Sequence, residues 1–170
     1  FECANTGSGR ISIDSVFAAT ASLKNSGSGE LYVMASYVDD IHMTQTGSGL
    51  IDAGIVYGAA DFSLNHTSSG KIFAALSDGT EVDARLTGSG RIELSGNAVI
   101  ADYSLSSSGK IDALDLVVSD ATATSTGSGK IYVYATETLD VTITGSGDVI
   151  YRGNPLLSTR ITGSGSVRPY

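Results

Sequence analysis

The sequence predicts an all-β fold: a single-stranded, right-handed parallel β-helix of about nine coils, with residues 1–170 forming one domain. Three observations carry this expectation. A Gly-Ser-Gly or Ser-Ser-Gly tripeptide starts at positions 7, 27, 47, 68, 88, 107, 127, 145 and 163, at intervals of 18–21 residues. Between the tripeptides, apolar and polar residues alternate with period two, the pattern of a strand with one buried face. No segment carries the sustained 3.6-residue stripe of an amphipathic helix.

A fixed period near 20 residues means one coil per repeat, each burying its inner face against its neighbours. The tripeptides read as corners, because a flexible Gly/Ser linker would not be interrupted by apolar segments at a constant interval. Glycine on both sides of a serine is expected to supply positive φ for a sharp turn. The nine corner serines, Ser8 to Ser164, and the Thr or Ser that precedes each corner are expected to stack as two hydroxyl ladders. The second residue after each corner is always aliphatic: Ile11, Leu31, Ile51, Ile72, Ile92, Ile111, Ile131, Val149 and Val167. Six and four residues before the corner lie further apolar columns, including Ile41, Phe62 and Val82, and Met43, Leu64 and Tyr103. These columns are the expected core. Each coil then holds two or three short strands, paired in parallel with identical strands about 4.8 Å away. Right-handedness follows from the strong bias of parallel crossovers. The 19- to 21-residue coils also lack the strict six-residue period of a left-handed hexapeptide helix.

Bulk composition narrows the partners. The apolar fraction is 41%, enough for a core, and the formal net charge is −8. Such a chain repels nucleic acid as a whole. Cys3 is the only cysteine, so no intrachain disulfide or cysteine-based metal site forms. No apolar run approaches membrane-spanning length. No signal peptide is visible, and the opening Phe1-Glu2-Cys3 reads as a processed or trimmed start. Cys3 lacks the upstream residues of a lipoprotein signal and is not read as a lipid anchor.

Several motifs reduce to the repeat. Gly-Ser-Gly-Lys at 127–130 lacks the Ser or Thr and the helix that a phosphate loop needs. Asn65-His66-Thr67 matches a glycosylation sequon, which matters only in a eukaryotic secretory host. His42 and His66 have no partner at metal-binding spacing. His66 shares a column with Asn25 and Gln45 and reads as a polar side chain satisfied by nearby backbone.

Two charged columns carry the candidate sites. Lys71, Arg91, Lys110 and Lys130 follow four successive corners and predict a basic row. With Tyr32, Phe73 and Tyr132 on the same strand face, the row has the chemistry of a sugar-binding strip, flat apolar surfaces beside donors. The competing reading is a solvated face in which Arg91–Glu93 and Lys110–Asp112 compensate one another. Seven residues before successive corners, Asp40, Asp61 and Glu81 are expected to stack at inter-strand distance, where like charges repel. Calcium, which takes clustered carboxylates, would relieve that repulsion. The competing reading is a screened acidic face, since the Asp-rich nonapeptide of calcium β-rolls is missing. No other cofactor is expected.

The repeated Thr-Gly-Ser-Gly-Lys/Arg-Ile pattern resembles the bacterial head GIN-domain family of auto-transporter adhesins. The closing stretch, Thr144-Gly-Ser-Gly-Asp-Val-Ile-Tyr-Arg-Gly-Asn-Pro155 followed by Ile161-Thr-Gly-Ser-Gly-Ser-Val167, is the most specific part. The resemblance covers essentially the whole chain. It implies an exported β-helical protein of a kind common in Bacteroidetes-type bacteria, and no catalytic residues.

Three functional classes compete. A polysaccharide-cleaving β-helix builds its cleft from long inserted loops, and coils of 18–21 residues leave none. An ice-binding face needs a flat array of outward Thr, but the candidate column reads Lys24, Thr44, Asn65, Arg85, Ser104, Thr124, Thr142 and Arg160. The expectation is therefore a non-enzymatic exported protein of the cell surface or envelope, an adhesin or binding module. The alternative is a carbohydrate-binding or polysaccharide-degrading β-helix. Its expected location is the periplasm, the outer-membrane surface or the extracellular space. Expected partners are a glycan or a cell-surface protein, with homo-oligomers through the coil ends.

Overall fold

The computed structural model describes Phe1–Tyr170 and contains only strands. In chain order they are β1 (Glu2–Asn5), β2 (Arg10–Asn25), β3 (Glu30–Gln45), β4 (Leu50–Tyr57), β5 (Asp61–His66) and β6 (Lys71–Leu86). The second half holds β7 (Arg91–Leu105), β8 (Lys110–Ser125), β9 (Lys130–Gly145), β10 (Asp148–Arg152), β11 (Leu156–Gly163) and β12 (Ser166–Pro169). Successive coils pair in parallel, so the chain winds through about eight turns between its nine corners.

Register follows the repeat. Ile51 pairs with Ile72, Ile72 with Ile92, Ile92 with Ile111 and Ile111 with Ile131. All five are fully buried, and they join a single core of 38 residues that runs the length of the solenoid. Phe62, Val82, Leu64 and Tyr103 occupy the same core, as their columns require.

Three local expectations are corrected. Most coils carry one continuous strand of 15 or 16 residues, as in β2, β3, β6, β7, β8 and β9, where two or three short strands were expected. The coil bends within the ladder, and register shifts between Asp52 and Ile55 and between Glu93 and Ser95 absorb the bend.

Of the corner glycines, only Gly145 and Gly163 adopt positive φ. Glycine is needed for close approach instead. A Cβ on Gly27 would overlap the Gly7 carbonyl oxygen, and one on Gly90 would overlap the His66 ring.

The hydroxyl ladders also fail to form: of the corner serines, only Ser146 and Ser164 bond to each other, at 3.1 Å. Both hydroxyl columns face solvent, which satisfies them. The corners are held by backbone, with Gly29 N–H donating to Gly7 O (3.0 Å) and Glu30 N–H to Gly9 O (3.0 Å), a pattern that recurs up the stack.

On the inner side of the corner, polar side chains replace core residues in the first coils. Asn5 Nδ2 donates to Gly9 O at 2.9 Å and Asn25 Nδ2 to Gly29 O at 2.7 Å. Fully buried His66 places Nε2 2.7 Å from Gly70 O. Nδ1 lies 3.1 Å from Gln45 O, so backbone carbonyls face both ring nitrogens, and the reading of His66 as a residue satisfied by backbone holds. Leu86 and Leu105 occupy this column in the next two coils.

Ile92→Ala in a central coil is expected to cost about 2–5 kcal/mol, because packed neighbours on both sides preserve the cavity. Val167→Ala should cost less, since Val167 is only partly buried and packs on one side. Equal losses in denaturant melts would contradict the stacking.

Candidate functional site

The outward column five residues after each corner start is the most chemically varied surface of the solenoid. In register it reads Ser12, Tyr32, Asp52, Phe73, Glu93, Asp112 and Tyr132. Beside it the chain bends, and the bend makes a groove. One part, of about 460 Å³, is lined by Asp52, Phe73, Glu93, Leu94, Asp112 and Asp115 among others. A second part, of about 400 Å³, runs on toward Ser12, Tyr32 and Met34. The two share Asp52 and Gly54, so they form one concavity parallel to the axis. Gly54 sits in the left-handed region at φ 54°, and its N–H donates to Asp52 Oδ1 at 3.1 Å.

The basic row is in register as expected: Lys71 with Arg91, Arg91 with Lys110, Lys110 with Lys130. Its middle members are engaged with acids. Arg91 Nε lies 2.6 Å from Glu93 Oε1, and Arg91 Nη2 lies 3.2 Å from Asp112 Oδ2. Lys110 Nζ is 2.7 Å from the same Asp112 oxygen and 4.2 Å from the Tyr132 ring centroid. Lys71 and Lys130 make no ion pair. Lys71, Arg91 and Lys110, with Ser69, Ser89 and Ser108, border a shallow depression of about 310 Å³ that Lys130 does not reach. Tyr32 and Phe73 therefore line the groove, whereas Tyr132 lies outside it under Lys110. The Tyr32 ring has the Arg10 guanidinium at 5.1 Å, and Arg10 is paired with Glu30 at 2.6 Å.

The acidic column also stacks, with Asp40 beside Asp61 and Asp61 beside Glu81. No group of three or more His, Cys, Asp or Glu side chains converges closely enough to hold a metal ion. A second acidic pair stands two residues along: Asp83 and Asp102 are opposite one another. Burial pushes the Asp83 carboxyl above the ordinary carboxylate range, and the nearby Asp102 and Asp61 add to the rise against the opposing pull of Arg85.

Two features escaped the reading of the sequence. Asp52 belongs to the Tyr32–Phe73 column and is visible once that column is written out in full. Phe17, Tyr37 and Tyr57 recur at intervals of 20 residues and form an outward stack, with centroids 4.7 and 4.8 Å apart. Phe17 is 75% exposed and Tyr37 44% exposed, with Met34 and Ile55 also exposed. That interval was the signal that would have found them.

Residues 56–155 match the family described as "Putative auto-transporter adhesin, head GIN domain". The chain belongs to this family. Proteins of known structure share the solenoid. A "putative lipid binding protein" from Parabacteroides distasonis is 32% identical, with a TM-score of 0.77 over 89% of this chain. A "putative adhesin" from Parabacteroides merdae is 24% identical, with a TM-score of 0.74 over 89% of this chain, and shows the fold alone. A "putative adhesin" from Parabacteroides distasonis is 26% identical, with a TM-score of 0.62 over 92% of this chain. The chain spans 61%, 63% and 64% of those three structures, respectively. No curated protein matches. No helix is long and apolar enough to cross a membrane.

The raised Asp83 carboxyl gives a pH prediction. Its folded value lies above the ordinary 3.8, so the folded state holds that proton more tightly than the unfolded chain. Ionised Asp83 thus opposes folding at neutral pH, and the penalty disappears as pH falls through the raised value toward 3.8. Asp83→Asn should raise the denaturation midpoint at pH 7 more than at pH 4. An equal effect at both pH values would contradict the assignment.

Proposed function

We propose that this GIN domain is a non-enzymatic, exported binding module of the cell surface or envelope. In this reading the axial groove that holds Tyr32, Asp52 and Phe73 is its ligand surface. The groove itself carries the proposal. It sets aromatic rings beside carboxylates along several coils, the mixture of flat apolar and hydrogen-bonding groups that sugars require. Its open form suits an extended ligand, and the short, uniform coils supply no loops to enclose a reacting centre. Membership of a family described as adhesins supports the surface role.

A second reading is favoured by the outward Phe17–Tyr37–Tyr57 stack, an apolar face suited to a lipid. The 32% identical relative named as a putative lipid binding protein points the same way. The two surfaces are separable by mutation. Tyr32→Ala with Phe73→Ala should abolish retention on a glycan array, while Phe17→Ser with Tyr37→Ser leaves it intact. Vesicle sedimentation lost only in the Phe17/Tyr37 variant, with no glycan retained by the wild type, would favour the lipid reading and contradict the groove.

For Asp40, Asp61 and Glu81 we propose diffuse screening by cations, with at most weak calcium binding. Like charges opposed across strands repel. Asp61→Asn should therefore leave the metal-free fold intact or slightly more stable. Millimolar calcium should shift the melting temperature of the wild type little. A large, saturable rise that Asp61→Asn removes would show a true calcium site.

A further inference from the structure

The groove's periodicity and charge specify its ligand more closely than the reading above, on which this inference rests. Ser12, Tyr32, Asp52, Phe73, Glu93 and Asp112 come one from each successive coil and are paired in register. A ligand laid along the axis therefore meets a new side chain about every 4.8 Å. An extended peptide, at about 3.3 Å per residue, meets the columns only at every third residue, two coils apart. An extended β-1,4-linked hexopyranose chain advances by close to one coil per sugar, so each sugar meets its own column over the few coils of the groove.

Charge narrows the class of sugar. The groove is lined by five carboxylates, Asp14, Asp52, Glu93, Asp112 and Asp115, against one guanidinium, Arg10. Arg10 is already paired with Glu30. Arg91 and Lys110 offset Glu93 and Asp112 from the rim. Asp52 and Asp115 have no ion-pair partner. The Gly54 N–H occupies Asp52 Oδ1, and Oδ2 makes no bond within the protein. A polyuronate would be repelled here, whereas hydroxyls and ammonium groups would be accepted.

Register shifts occur between Asp52 and Ile55 and between Glu93 and Ser95, both at the groove wall. Bulges in such places re-aim side chains.

We propose that the groove binds a linear polymer of β-1,4-linked hexosamine with free amino groups, lying along the solenoid axis at one sugar per coil. Tyr32 and Phe73, two coils apart, would take the apolar faces of alternate sugars. Asp52, between them, would take the ammonium or hydroxyl groups of the intervening one.

The test is isothermal titration of the whole chain with four probes: a β-1,4-glucosamine hexamer, its fully N-acetylated form, cellohexaose and hexalysine. The glucosamine hexamer should bind at least about tenfold more tightly than either uncharged hexamer, the worth of a charge-assisted hydrogen bond. Asp52→Asn keeps the acceptor for the Gly54 N–H and should remove most of that advantage. Asp115→Asn provides the same readout if Asp52→Asn fails to fold. Equal binding of cellohexaose would overturn the amine assignment while leaving the groove as a glycan site. Equal binding of hexalysine would overturn the sugar assignment. No binding by any probe, with glycan-array retention also absent, would overturn the underlying reading as well.

Discussion

Everything in this molecule depends on parallel pairing of near-identical coils in register. Of 127 backbone hydrogen bonds, 100 lie within the strand ladders, and most of the remainder continue the same ladder through the corners. A ladder this continuous allows no side chain to intrude between coils where the backbone turns most tightly. That is why glycine recurs beside the corner serine, as the crowding at Gly27 and Gly90 shows. Inward columns then share one interior, so that a large residue stands beside small ones, as Tyr103 does between Ala84 and Ala123. Ile, Val and Leu dominate them, and where a polar residue enters, as at Asn25 or His66, it closes its own corner on a glycine carbonyl.

The same constraint acts outward, where it produces function instead of stability. Any residue on an outward column is repeated at inter-strand distance, so chemistry accumulates in stripes. Repulsion within a stripe is relieved by its neighbours, as when Arg91 and Lys110 share Asp112. Register shifts break the regularity at five places, and the groove lies beside those at Asp52–Ile55 and Glu93–Ser95. The solenoid thus presents an extended recognition surface with a fixed period and no loop to close over it. Binding at such a surface is set by matching of spacing and charge, not by enclosure.

Much of this was legible in the sequence. The spacing of the corners revealed the fold, the register and the inward columns, because a tripeptide recurring every 18–21 residues aligns all other positions. The column reading also placed Lys71, Arg91, Lys110 and Lys130 side by side, and Asp40, Asp61 and Glu81 likewise. It could not show which hydroxyls face water, so the expected serine ladder reduces to Ser146 and Ser164. Nor could it show concavity, since a bulge adds a residue without changing the pattern around it. Asp52 thus stood in the column as one polar residue among several until Gly54 placed it in a groove. The Phe17–Tyr37–Tyr57 stack was visible as an interval but not as a surface.

The central claim is that successive corners advance by one inter-strand step along a straight axis. Spin labels at solvent-exposed corner serines measure this directly, in a background where Cys3 is replaced by Ser. Pairing Ser128 in turn with Ser8, Ser28 and Ser48 spans six, five and four coils. The account predicts narrow distance distributions, with each change of partner shortening the separation by about 4.8 Å. Broad distributions, or separations that do not fall in equal steps, would contradict the in-register solenoid and the axial groove built on it.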